Sequence, residues 1–232
     1  MAVAVSETTL FFLLSFIAFL FTLSVHESAH ALVADRCGDP TARLAGRVSL
    51  NPWRHMELFG TVILPVLTSL SGFVTFGWAK PTPVDLRRLR RPRRDDILVS
   101  FAGPASNLLT ALGCVALLGF IRVTSAGGAQ IVERLAATGS PGPDTSMLNP
   151  VAWLLHRVLV ISIVLGIFNL YPVPPLDGSH ILNGLLPARA QAWYRGFARY
   201  GFVILLVVLW YTPLGRWTID PPLRAMNFLL QM

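Results

Sequence analysis

Long apolar blocks separated by short polar stretches dominate the pattern of this chain. The clearest blocks run from Leu10 to Val25, Ile97 to Ile121, Val151 to Leu170 and Gly201 to Tyr211. Several of them approach the ~20 residues that a helix needs to cross a bilayer. The pattern therefore predicts an all-α polytopic membrane protein with about four transmembrane helices.

A further apolar block, Phe59 to Phe73, is short for a crossing and contains Pro65 and Gly72. We expect a re-entrant or interfacial segment, because irregular backbone at lipid depth is tolerated where protein or water covers it. Two neighbouring stretches, Ala45 to Leu50 and Val74 to Pro83, have strand-like character and predict a small β element at the membrane surface.

No loop has room for an inserted globular domain of ~90 residues, so residues 1–232 are predicted to form a single integral-membrane domain. Only Glu7 is charged ahead of the first block, which lacks the basic start of a signal peptide and is expected to stay as a helix. In the first half of the chain, the pattern predicts helix 1 over about 8–35, followed by surface strands and the re-entrant segment over about 44–83. Helix 3 over about 95–122 then leads to an external loop over about 123–150. Helix 4 follows over about 151–171 with a broken segment at 172–178, and a last helix covers about 195–212.

Composition supports a membrane location, since 53% of the residues are hydrophobic and only 13% are charged. The net charge of +7 is carried by arginines in loops beside the apolar blocks, without interleaved aromatic residues, so it indicates membrane topology and excludes nucleic acid as a partner. The most basic stretch, Lys80 to Arg94, should face the cytoplasm, whereas Thr124 to Pro150 should face outward. Cys37 and Cys114 are expected to be free thiols.

The strongest motif is HESAH, His26 to His30, at the inner end of the first helix. Residues four apart share a helix face, so both imidazoles can bind one zinc ion while Glu27 activates a water as general base. The alternative is that these are ordinary polar groups just beyond the lipid. Ionisable groups at the end of an apolar helix are functional candidates, because they cost free energy unless they are paired, coordinated or wetted.

A catalytic zinc site normally takes a third protein ligand. Asp177 is the best placed, because it closes the stretch NLYPVPPLDG at the inner end of helix 4, where three prolines prevent a continuous helix. His180 is the runner-up ligand, although an interfacial histidine or a residue that orients a ligand is the favoured interpretation. His55 is expected to be a loop or surface histidine, and His156 is expected to lie too far away. The remaining candidates on the cytoplasmic side are Asp35, Asp39, Glu57, Asp95 and Asp96.

Three motifs in this order resemble those of the site-2 protease family, the zinc intramembrane proteases: HESAH, then GPASN at Gly103 to Asn107, then NLYPVPPLDG at Asn169 to Gly178. The stretch FGWAKPTPVD, Phe76 to Asp85, is similar to the compact bacterial and archaeal branch. Larger relatives carry a PDZ domain that this chain lacks.

The resemblance implies one Zn²⁺ bound by His26, His30 and Asp177, with catalysis by Glu27. It also implies that Asn169 and Asn107 bind substrate backbone or the developing oxyanion. From the residues alone, each asparagine is equally well explained as a helix–helix hydrogen bond.

The expected activity is zinc-dependent hydrolysis of peptide bonds in or near transmembrane segments of a protein substrate, in the inner membrane, with the active site towards the cytoplasm. The lipid bilayer is a partner, and a homodimer is left open. Two alternatives remain: a catalytically inactive membrane scaffold of the same fold, and a membrane transporter of zinc or another ion.

Overall fold

The computed structural model describes residues 7–70, 77–140, 142, 146–198 and 200–231. Helices make up nearly all the regular structure of these residues, and no strand occurs among them. The α-helices are α1 (Glu7–Arg36), α2 (Thr41–Leu44), α3 (Leu64–Leu70), α4 (Pro92–Thr124), α5 (Ala126–Thr138), α6 (Leu148–Asn169), α7 (Asp177–Leu185), α8 (Ala188–Ala198), α9 (Gly201–Tyr211) and α10 (Leu214–Gln231).

Three described helices are long and apolar enough to cross a membrane: Phe12–Arg36 within α1, α4 and α6, with 25, 33 and 22 residues. They confirm long apolar helices at three of the four predicted positions. The fourth, expected over about 195–212, is divided, because α9 has only 11 residues and is separate from α8. Eleven residues cover about 16 Å, roughly half of the hydrocarbon core. Pro213 explains the end of α9, since a proline disfavours helical backbone at the residue before it.

The predicted β element is not found among the described residues. The stretch 45–50 is a turn around Gly46, which has φ +71°. Residues 77–83 are extended, but Trp78 donates its N–H to the carbonyl of Gly60 in a π-helical turn, and Lys80 donates its N–H to the carbonyl of His55 in a loop. Prolines in the second stretch remove donors that a ladder would need. The remaining predicted strand residues, 74–76, lie outside the described part.

The short apolar block begins with a π-helical turn, Leu58–Ile63, which continues into α3. These six and seven residues are fewer than a crossing needs, as expected from the sequence. Residues 71–73 of the block are outside the described part of the chain.

The stretch of about 123–150, predicted as an external loop between two spans, contains helix α5, which the sequence did not predict. Ser125 caps its start by accepting a hydrogen bond from the Gly128 N–H at 2.9 Å, and Gly139 ends it in the left-handed conformation. Its buried residues recur at helical spacing: Gly128, Ile131, Val132, Leu135 and Ala136.

The chain divides into two compact units. The first contains Met1–Thr22, Asn107–Phe168 and Leu209–Met232, and the second contains Leu23–Ser106 and Asn169–Val208. The first has an extensive apolar core, with Leu118, Ile131 and Leu159 among its fully buried members. The second has a small apolar cluster of Ala34, Leu89 and Val99, and it contains the HESAH motif and Asp177.

Candidate metal centre

His26 and His30 lie on one face of α1, as their spacing predicts. Both are buried, with 4% and 7% of their surface exposed, and their rings meet edge to face with centroids 4.7 Å apart. The motif is therefore inside the protein, and both histidines present Nε2 in the same direction. An exposed interfacial position for these two side chains is excluded.

Asp177 supplies the third group from a different element. It is the first residue of α7, where the partial positive charge of the helix N-terminus favours a carboxylate. Its Oδ2 atom lies 3.1 Å from His26 Nε2 and 3.3 Å from His30 Nε2. The irregular segment before α7 is confirmed, although the helix restarts at Asp177 itself.

A glycine explains why α7 can begin at this place. A Cβ on Gly178 would lie 2.2 Å from the carbonyl oxygen of Leu170 and 2.5 Å from that of Tyr171, so only glycine allows the chain to fold back so closely. Tyr194 also donates a hydrogen bond to the Pro172 carbonyl at 2.9 Å. These contacts hold the segment that ends in Asp177.

The three ligand atoms have the spacing of a zinc site. Ligands about 2.0–2.1 Å from a tetrahedral zinc lie roughly 3.4 Å apart, close to the separations of Asp177 Oδ2 from the two imidazole nitrogens. Oδ2 is buried, yet no donor of the described residues is directed at it along a hydrogen bond. Among the described residues, no other set of histidine, cysteine or acidic side chains converges in this way. Two imidazoles and a carboxylate are a donor set that zinc accepts.

The hydrogen bond of His30 assigns the tautomer that a metal ligand requires. Its Nδ1 lies 2.7 Å from the Val99 carbonyl oxygen, which can only accept, so Nδ1 carries the proton. Nε2 then has a free lone pair directed at the cluster. Such a bond on the far nitrogen is the usual way in which a metal-binding imidazole is oriented.

Gly103 on α4 leaves the space that the two imidazoles occupy. A Cβ at this position would lie 2.4 Å from His30 Nε2 and 2.6 Å from His26 Nε2. The backbone of α4 therefore borders the ligand atoms directly, and any side chain here would enter the site.

Charges around Asp177 favour its ionised form. Burial alone would raise the pKa of the carboxyl, but the neighbouring imidazoles of His26 and His30 outweigh this effect and hold the pKa well below its usual range. A carboxylate that stays ionised over the physiological range can bind a cation.

Glu27 is half-buried beside the two ligands, and its carboxylate is held by the extended segment of residues 77–85. Thr82 donates to Glu27 Oε2 from its backbone N–H at 3.0 Å and from its hydroxyl at 2.7 Å. The general base predicted from the motif therefore has a defined orientation.

The other acidic and histidine candidates are engaged elsewhere. His180 is exposed and faces Asp96, with Nδ1 3.5 Å from Oδ1, so it is not one of the converging ligands. His55 lies in a loop, one of its two expected positions, but it is not at the surface, because it is 2% exposed and its Nε2 lies 2.7 Å from the Ser49 carbonyl. Each remaining carboxylate has a partner elsewhere. Asp35 pairs with Arg43, and Asp39 accepts from Thr41 and from the Asp85 N–H. Asp95 accepts from the Arg91 N–H, and Glu57 accepts from the Trp78 side chain.

The asparagines implied by the resemblance have different positions. Asn169 is the last residue of α6 and belongs to the second unit, directly before the segment that leads to Asp177. Asn107 is fully buried on α4, one turn beyond Gly103. Their roles towards substrate stay predictions.

Reasoning from the sequence missed three contributors to the site. Gly103 stands in the quoted motif GPASN, and a glycine before proline within an apolar helix was a usable signal of close approach. Thr82 lies between two prolines in a quoted segment, which was a weaker signal. Val99 contributes only a carbonyl oxygen, which every residue has, so no sequence signal could have found it.

Comparison with known proteins agrees with a zinc site formed by the two histidines and Asp177. The sequence profile described as peptidase family M50 matches residues 14–211. YwhC of Bacillus subtilis is 39% identical over 90% of this chain and 85% of its own length, and Rip2 of Mycolicibacterium smegmatis is 31% identical over 90% of this chain and 71% of its own. The names of both relatives assign them to the zinc metalloproteases. No solved structure gives a significant match.

Proposed function

Because this chain belongs to peptidase family M50, a family of membrane metalloproteases, we propose that it is a zinc endopeptidase that cleaves membrane proteins in or near their transmembrane segments. The observation that carries the proposal is the convergence of His26, His30 and Asp177 beside Glu27, in a protein whose described residues include three helices of membrane length. A site built on membrane helices favours a substrate that is itself in the membrane.

Zinc bound by the three side chains would supply an activated water and polarise the scissile carbonyl. Glu27 lies next to a ligand and is the only acidic residue in the motif, so it removes the proton from the attacking water. The same carboxyl then delivers this proton to the nitrogen of the leaving amine. Asp177 stays ionised and neutralises charge at the metal. Asn169 and Asn107 are proposed to bind the substrate backbone or the oxyanion.

The distribution of basic residues supports a proposed position of this chemistry on the cytoplasmic side of the inner membrane. Arg36 ends α1 six residues after the ligand His30. The arginine-rich stretch that enters α4 lies shortly before Val99, whose carbonyl bonds to His30. The excess of arginine in short loops marks the cytoplasmic face of a membrane protein. Water then reaches the site from the cytoplasm.

A transmembrane substrate must unwind before cleavage, because its carbonyls are bonded within its own helix. We propose that the extended segment 77–83 holds the unwound chain by strand addition. Trp78 and Lys80 bond to the protein, while the Ala79 N–H between them has no partner among the described residues. Ala79→Pro removes this donor, and cleavage unchanged from wild type would eliminate strand addition at this position.

Zinc analysis and proteolysis of the purified protein test the proposal together. We expect about one zinc per chain in wild type and Glu27→Gln, and far less in His26→Ala and Asp177→Ala. Wild type should cleave some members of a set of single-span membrane proteins reconstituted in the same vesicles, whereas Glu27→Gln should cleave none. Equal zinc in all four proteins, or equal cleavage by Glu27→Gln, contradicts the proposal. Zinc flux across the vesicle membrane that depends on the ligands would instead indicate a transporter.

A further inference from the structure

Thr82 makes the principal contacts of the Glu27 side chain among the described residues. Its backbone N–H and its hydroxyl lie 3.0 Å and 2.7 Å from Oε2, and the hydroxyl oxygen is also 3.1 Å from the main-chain carbonyl of Glu27. A hydroxyl has one proton, and the shorter distance directs it to the carboxylate. Two donors on one residue therefore hold a single oxygen of Glu27.

The local sequence presents both donors of Thr82 in the same direction. Pro81 and Pro83 flank it, and the residue before a proline is restricted to extended backbone. Because prolines have no N–H, Thr82 has the only backbone donor of these three residues. The stretch is anchored further back by the hydrogen bonds of Trp78 to Gly60 and of Lys80 to His55.

We propose that Thr82 is a positioning residue for the general base, a role that rests on the proposed protease function. It holds Oε2 and leaves Oε1, which has no partner among the described residues, to take the proton of the attacking water. The carboxylate accepts both bonds only when ionised or when the proton lies on Oε1, so the same geometry suits the base before and after proton transfer.

Orientation of this side chain matters because glutamate has three rotatable bonds, and a free carboxylate samples many positions that are unproductive. Catalytic groups act efficiently when neighbouring contacts hold them in the reactive geometry. Thr82 therefore acts on the chemical step through Glu27, since its hydrogen bonds among the described residues all go to Glu27 and none to a metal ligand.

Thr82→Val tests this role, since it removes the hydroxyl donor with little change of shape. We expect kcat to fall about tenfold, as for the loss of one hydrogen bond to a charged group, with KM within about twofold of wild type and zinc content unchanged. Thr82→Ser restores the donor and should recover most of kcat.

Thr61→Val is the matched control. The Thr61 hydroxyl is buried and donates to the Trp78 carbonyl at 2.7 Å, so it holds the same extended segment without touching Glu27. If Thr82 only stabilised the segment, both valine variants would lower kcat equally. We expect Thr61→Val to lower the melting temperature but to keep kcat within about twofold of wild type.

A thermal cycle provides a readout that needs no substrate. Thr82→Val should lower the melting temperature more in wild type than in a Glu27→Ala background, where the carboxylate is missing and only the main-chain carbonyl of residue 27 is left to accept from the Thr82 hydroxyl. An unchanged or increased kcat in Thr82→Val, an equal loss in Thr61→Val, or equal thermal effects in both backgrounds would each overturn the inference. These results leave the proposed function intact, because that function is tested by zinc content and by Glu27→Gln.

Discussion

The two units of this protein both contain buried histidine, but they surround it differently. In the first unit, His156 lies on α6 near a core of residues such as Leu118 and Leu159, and no converging acidic group is found among the described residues. In the second unit, His26 and His30 meet Asp177. Burial of a histidine in an apolar helix is therefore not sufficient to make a metal site.

The difference lies in what is packed around the histidines. The first unit is filled by large aliphatic side chains, whereas the second has a small apolar cluster of Ala34, Leu89 and Val99 and many buried polar groups. A polar interior needs paired donors and acceptors, so each contact depends on its partner. We expect the first unit to respond to changes of volume and the second to changes of chemistry.

The largest expected effect contrasts one histidine from each unit. His26→Gln should lower zinc affinity by more than about 100-fold and abolish cleavage, because glutamine is a poor substitute for an imidazole ligand. His156→Gln should retain the wild-type zinc content. Metal analysis after gel filtration measures both, and zinc loss in His156→Gln would break the contrast between the units.

Two glycines of α4, one in each unit, allow the same comparison of the two units within a single helix. Gly103→Ala places a methyl group 2.4 Å from His30 Nε2 and should reduce zinc affinity roughly 10- to 100-fold, as for a change that displaces a ligand. Gly119→Ala is the control, because a Cβ there has open space around it. The control should keep zinc and gain about 0.5–1 kcal/mol of stability. Competition with a chromogenic chelator and thermal unfolding provide the two measurements.

A cavity in the first unit should cost stability and leave the metal centre intact. Leu118 is fully buried in the apolar core, so Leu118→Ala is expected to lower the free energy of unfolding by about 2–5 kcal/mol. The folded fraction should still contain one zinc per chain. Zinc loss from protein that elutes as a folded species would show that the units respond as one.

The smallest expected effect concerns His180, which pairs with Asp96 at the edge of the site. The hydrogen bond with Asp96 is the main reason why the pKa of His180 is raised, so the protonated form is favoured by folding. The stabilisation is complete below the ordinary pKa of about 6.5 and is lost as pH rises through the raised value. Because the side chain is 56% exposed, His180→Gln should cost about 0–1 kcal/mol at pH 5.5 and nothing at high pH. Melting temperatures at both pH values measure this difference.

Much of the site could be predicted because two of its ligands are local. His26 and His30 need only a helix to meet, and the apolar run of α1 predicts that helix to within a residue at each end. Asp177 was chosen from topology and from the prolines before it. The prediction of a β element was wrong because composition indicates an extended backbone but not its hydrogen-bond partners. Here the partners of Trp78 and Lys80 are carbonyls of a π-helical turn and of a loop. Helix α5 was missed although its apolar spacing was visible.

The sequence by itself determined the membrane class of the protein, its long helices and the identity of the residues that could bind a metal, since these depend on hydrophobicity and helical periodicity within short stretches. Only the tertiary structure decided that Asp177 meets the histidines, that Gly103 makes room for them, and that Thr82 holds Glu27. Those contacts join positions tens to more than a hundred residues apart, and distances across such separations depend on how the helices and the extended segment pack.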